Sequence, residues 1–116
     1  MTRIANHTPH PVTLYTPDGR ILARFPPHTH PARLDEIRTP AAPITHQGRN
    51  LPRTLISYRA TTTNLPTPQP HTTLIVSRVL ATAHPERHDL VFPLDEIRDP
   101  HGTIIGCRGL GSFHQP

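Results

Sequence analysis

Proline is the residue that most limits what this chain can become. Sixteen prolines are spread over 116 residues, and each fixes φ and removes a backbone donor, so many proline-punctuated loops are expected. What survives is a set of short apolar segments separated by turns. Proline and glycine together make 22 of the 116 residues, below the ~25–30% typical of low-complexity disorder. Leu, Ile, Val and Phe number 27, which is enough for a thin core in one small domain.

Alternation and turn chemistry place the elements. Val12 to Thr16 alternates apolar and polar, Pro17-Asp18-Gly19 makes a turn, and Arg20 to Phe25 resumes, which together predict a β-hairpin. Pro26, Pro27 and Pro31 end that unit, and residues 32–38 form a third candidate strand. Residues 39–53, rich in Pro, Gly, Asn and Thr, read as a long irregular loop. A strand over 55–61 follows, and then a stiff proline connector over 65–70.

The second half is more strongly patterned. Thr72 to Val76 is an apolar run of the kind buried strands show. Ser77 is placed to cap a short helix over 78–84, which Pro85 stops. Strands over 89–92 and 103–105 are expected next, with Gly106, Gly109 and Gly111 breaking regularity beyond them. The expected fold is mainly β (α+β): a small single-domain barrel- or sandwich-like sheet of six or seven short strands with one short helix.

Several function classes are disfavoured by what is missing. No apolar run approaches the ~18 residues of a membrane span, and the first fifteen residues hold no secretory h-region. The single cysteine, Cys107, gives no disulfide framework and no cysteine-rich zinc knuckle. A cytoplasmic protein without membrane partners is therefore expected. The net charge is +4, carried by twelve Arg and no Lys. These arginines are dispersed from Arg3 to Arg108 with few aromatics between them, unlike a dedicated nucleic-acid stripe.

Ten histidines include three close pairs, His7/His10, His28/His30 and His84/His88. Pro85 interrupts the last pair, an extended chain would send His28 and His30 to opposite faces, and no pair has zinc-ligand spacing, so no metal or other cofactor is expected. Cys107 beside Arg108 could act as a nucleophile, or a histidine as a general acid or base, in a small hydrolase or transferase. A lone cysteine is more commonly a small buried apolar residue. The segment Leu34-Asp35-Glu36-Ile37-Arg38 recurs letter for letter as Leu94-Asp95-Glu96-Ile97-Arg98, each copy with Pro two residues later. The flanks do not match, so two equivalent edge strands or turns explain the repeat more simply than a duplicated binding element.

Two halves of the chain resemble a group of small proteins encoded by bacteriophages and actinobacteria. The resemblance rests on Asn6-His7-Thr8-Pro9-His10-Pro11-Val12, on Leu65-Pro66-x-Pro68 and Thr73-Leu74-Ile75-Val76-Ser77, and on Pro85-x-Arg87-x-Asp89-Leu90-Val91-x-Pro93. It continues through Arg98-Asp99-x-x-Gly102-x-Ile104-Ile105-Gly106-Cys107-Arg108-x-Leu110, so it covers most of 4–25 and 65–113. His7 stands where that group has an apolar residue, and the repeated Leu-Asp-Glu-Ile-Arg is outside its pattern.

The resemblance implies a phage or mobile-element setting, where small proteins commonly act by occupying a host protein, a nucleic acid or a nucleotide signal. It singles out Asn6, Thr8, His10, Ser77, Arg87, Asp89 and Arg98 as polar groups at element ends. Gathered around a cleft they would bind an anionic ligand, with Arg87 as its anchor. Local turn bonding explains Asn6 and Thr8 without any ligand, and structural ion pairs at element ends explain Arg87-His88-Asp89 and Arg98-Asp99 in the same way. The leading expectation is thus a non-enzymatic binder of a nucleotide or nucleic acid. The alternative is a protein-interaction module offering an edge strand such as 34–38, with self-association as a further route for so thin a core.

Overall fold

The computed structural model describes residues 2–114, and the side chain of residue 60 lies outside that description. The chain is mainly β. Among the described residues eight strands and one helix follow in the order β1 (Arg3–Asn6), β2 (Val12–Tyr15), β3 (Ile21–Phe25), β4 (Arg33–His46), β5 (Arg49–Thr63), β6 (Thr72–Ile75), α1 (Arg78–Ala83), β7 (Leu90–Arg98) and β8 (Ile104–Gly111). They form a six-stranded sheet in the order β1-β6-β7-β8-β2-β3 and a separate two-stranded ribbon, β4-β5.

The core is built around β6. It lies between β1 and β7, parallel to both, and strands covered on both faces read as unbroken apolar runs. Leu74 and Val76 point to one side and pack with Leu80, Ala81, Leu90 and Phe92; Ile75 points to the other and packs with Val12 and Cys107. Ser77 accepts a hydrogen bond from Leu80 N at 3.2 Å and caps α1, which crosses from β6 to β7. The helix ends at His84, one residue before Pro85.

The expected hairpin is β2–β3, closed by Gly19 at φ 88°. Its far strand returns to the start of the sheet: Asn6 Nδ2, at the end of β1, donates to the Phe25 carbonyl at 3.2 Å. Backbone bonds from His28 N to Thr8 O (3.1 Å) and from Ala32 N to His7 O (2.8 Å) reinforce that junction. The two outer strands are thus tied together at one end, which gives the open sheet a barrel-like curl.

Three expectations need correcting. Residues 39–53 are not a loop: they complete the paired strands β4 and β5, which turn at Gln47 (φ 49°) and Gly48 (φ 73°). Positive φ at both central residues is the type I′ geometry that matches strand twist. Pro40, Pro43 and Pro52 are accommodated because a two-stranded ribbon consists only of edges, where an N–H can be missing. The 89–92 strand runs on to Arg98, and the 103–105 strand runs on to Gly111. Glycine is required in β8, since a Cβ on Gly106 would lie 2.7 Å from Thr13 O and against the Tyr15 ring, and one on Gly111 would meet the Phe92 ring.

The ribbon gives the molecule its shape. The radius of gyration is 17.4 Å and the longest dimension 59 Å, against ~13 Å expected for the radius of a compact chain of this length. Among the described residues none of the buried apolar residues of the core belongs to 33–63.

Candidate functional site

The polar residues singled out by sequence fall into separate small networks. Asn6 is buried and uses its whole amide: Nδ2 donates to His10 O at 2.8 Å and to Phe25 O, while Oδ1 accepts from Thr8 N at 2.9 Å. Thr8 Oγ stands 2.7 Å from Asn6 Oδ1 and 2.9 Å from His10 O, so its one proton serves this same turn. His10 contributes its carbonyl, and its side chain is exposed. Asn6, Thr8 and His10 therefore form one structural knot at the β1–β3 junction.

Arg87 and Asp89 form a second network. Arg87 reaches both Asp89 oxygens at 2.8 Å and the Pro66 carbonyl at 2.8 Å, with side-chain exposures of only 12% and 15% for the pair. The guanidinium holds the Asp89 carboxyl below its usual range, and Asp89 in turn raises Arg87. This two-pronged pair pins the proline connector to the start of β7. Ser77 is engaged in capping α1. Arg98 lies at the opposite end of β7 from Asp89, roughly 30 Å along the strand, where it donates to Gly102 O at 2.7 Å.

Beside the Arg87–Asp89 pair is a shallow groove of about 360 Å³, lined in part by Arg3, His7, Gln69, Thr72 and Asp89. His7 is buried, its Nδ1 has no hydrogen-bond partner among the described residues, and its ring stacks on His28 at 4.2 Å. Burial and the neighbouring His28 lower its pKa.

The histidines pair differently from their sequence neighbours: His7 with His28, and His88 with His114 at 4.3 Å. His84 bonds Glu86 at 3.1 Å and contacts the Thr62 hydroxyl. Among the described residues no three His, Cys, Asp or Glu groups converge as metal ligands would. Cys107 is 1% exposed in the core, and burial pushes its thiol up, away from the thiolate that nucleophilic chemistry needs.

The β4–β5 ribbon, where the sequence predicts a loop between two strands, is an extended accessible feature. Ile37, Ile44, Leu51, Leu55, Ile56 and Tyr58 are all exposed on it. It carries five Arg against one Asp and one Glu, and β5 holds Arg49, Arg53 and Arg59 with no acid. At its base Leu34 and Tyr58 face Arg78, Val79, Thr82 and Ala83 of α1 across an apolar groove. Ile56 and Tyr58 signal the strand over 55–61, and Pro40, Pro43 and Pro52 conceal its continuation into 49–54 and that of β4 into 39–46.

Both copies of the repeated pentapeptide lie in strands. Arg38 Nε meets Glu36 at 2.7 Å in β4, and Arg98 meets Glu96 at 3.7 Å in β7. The aspartate marks an irregularity each time: Asp35 accepts from Thr61 and Thr63 where the β4–β5 register shifts, and Asp95 adopts φ 57°.

No helix among the described residues is long and apolar enough to cross a membrane. Compared with models of known protein families, with curated proteins and with solved structures, the chain matches none.

Proposed function

We propose that the protein is a non-enzymatic interaction module whose binding element is the β4–β5 ribbon. One observation carries this reading: the ribbon projects from the body with six large apolar side chains exposed on its two faces and no layer of the fold covering its outer part. Exposed apolar surface of that extent is characteristic of a contact site. A two-stranded hairpin is also marginal in water by itself, so a partner that covers it stabilises it.

The polar residues at element ends serve this function by holding the base rigid. Asn6 and the Arg87–Asp89 pair fix the loops around the sheet, so the ribbon is presented from a firm platform.

A second reading, an anionic partner such as a nucleic acid, draws on the charge of β5. Arg49, Arg53 and Arg59 are the arginines of that strand, and the five Arg of the ribbon against its two acids carry most of the molecule's net positive charge. Arg, Asn and Gln beside apolar wedges suit a nucleic-acid groove.

The test compares the full chain with a variant in which residues 38–56 are replaced by Asn-Gly. Both are used as baits against lysate of the native cell, with and without nuclease. Proteins retained by the full chain and lost with the shortened one support the interaction module. Retention that disappears with nuclease transfers the function to the second reading. Identical binding by both baits overturns the ribbon as binding element.

A further inference from the structure

We infer that the ribbon's partner is a second copy of this chain, joined through the outer edge of β4 in an antiparallel two-fold pairing centred on Ile37. This rests on the ribbon being the binding element and names what it binds.

The backbone makes the edge available. Among the described residues β4 pairs only with β5, over a continuous register from Glu36–Tyr58 to Pro40–Thr54. In an antiparallel ladder, residues alternate between those bonded to the partner strand and those whose polar groups point outward. Pro40 has no N–H to give to β5, which places it in the outward set. Glu36 and Arg38 share its parity, so their N–H and C=O groups face away from β5. These residues are exposed, so the edge from Glu36 to Arg38 is open for strand addition.

The side chains then select the partner. A two-fold contact must be self-complementary. With Ile37 opposite its own copy, Glu36 of each chain stands opposite Arg38 of the other, and Asp35 stands opposite Thr39. Two opposite-charge pairs form, and no like charges meet. Ile37 also shares a face with Leu55, because Ile37–Ser57 and Thr39–Leu55 are successive same-face pairs. The resulting four-stranded sheet, β5-β4-β4-β5, brings two Ile37 together between two Leu55, all of them exposed in the single chain. It also lifts the ribbon past the three-strand threshold for independent stability.

The second copy of the pentapeptide is a built-in control. Glu96 and Arg98 repeat the same pair on β7, but Asp95 at φ 57° breaks the regularity of that edge. The same two-fold register there would also set Asp95 against Asp99.

Sedimentation equilibrium of the full chain across a concentration series tests the pairing. Wild type is expected to dimerise, and Glu36→Arg and Arg38→Glu are each expected to weaken the dimer about tenfold or more. Mixing the two variants restores complementarity and should return a dimer as tight as wild type. Glu96→Arg should leave association unchanged. Circular dichroism melts identify any variant that has lost its fold, and the mixture then decides, since rescue requires two folded chains. A wild-type monomer at millimolar concentration overturns the inference, as does a dimer indifferent to both β4 variants. If the chain is monomeric while the ribbon still captures other proteins, self-pairing fails and the interaction module stands. If the shortened chain binds the same proteins as the full one, that reading fails as well.

Discussion

Arg87 donates to both oxygens of Asp89 and to the Pro66 carbonyl, each at 2.8 Å. As a cleft anchor it would be expendable for folding; as the fork between Asp89 and the Pro66 carbonyl it is not. Arg87→Ala leaves a half-buried carboxylate and a carbonyl without their donor, and should lower stability by about 1–3 kcal/mol, read by chemical denaturation. The Asp89 pKa lies below its unfolded value, so the pair's contribution is complete above about pH 4 and is lost as acid drives the pH down through the folded pKa. The variant should show a weaker acid-induced loss. His7 follows the same sign: its pKa is lowered by burial and by His28, so the unfolded ring takes up a proton first, and the cost of keeping it buried is smallest above the ordinary value of ~6.5 and grows below it. His7→Leu removes an unpartnered buried nitrogen and should gain about 1 kcal/mol at pH 8, with a larger gain at pH 5. Melting curves at the two pH values check the difference. Cys107, enclosed with Val12 and Ile75, should resist iodoacetamide at pH 7 until denaturant is added; rapid labelling of the native chain would show an open thiol.

At the scale of elements, turn chemistry governs the ribbon. Gln47 at φ 49° occupies a position where Asn is the better residue. Gln47→Asn should slow amide exchange at the tip, around Thr45 and Asn50, while leaving exchange in β6 and β7 unaltered. The elements legible in the sequence were those whose burial comes from neighbours in the chain. The β2–β3 hairpin announced itself by alternation around Asp18-Gly19, and β6-α1 by an apolar run followed by a serine cap. β1 was not legible: Arg3–Asn6 has no pattern of its own and is a strand because β6 offers it a parallel edge. β8 was obscured by glycines that are there for the rings of Tyr15 and Phe92, a contact between residues far apart in sequence.

At the scale of the molecule, body and ribbon are energetically separable. Among the described residues every buried apolar residue lies outside 33–63, as do Ala32 and Leu65, which pack against the core from either side of the ribbon. Replacing 38–56 with Asn-Gly should therefore keep the body folded, lower the radius of gyration measured by X-ray scattering toward the compact ~13 Å range, and leave a cooperative melt. A shortened chain that fails to fold would show that the ribbon contributes to the core after all.

Mainly-β architecture, the capped two-turn helix, and the buried β6 run were determined by the sequence alone, because proline spacing, strand alternation and a serine cap act over a few residues. The polar residues at element ends were visible too, but only as residue types. Whether Asn6 or Arg87 meets a ligand or its own chain depends on the partner brought to it: Asp89 stands two residues from Arg87, but Phe25 and Pro66 arrive by tertiary folding. The ribbon belongs with them. Its prolines are incompatible with a central strand and compatible with an edge, and the number of neighbours a strand has is a property of the whole sheet that no local window of sequence contains.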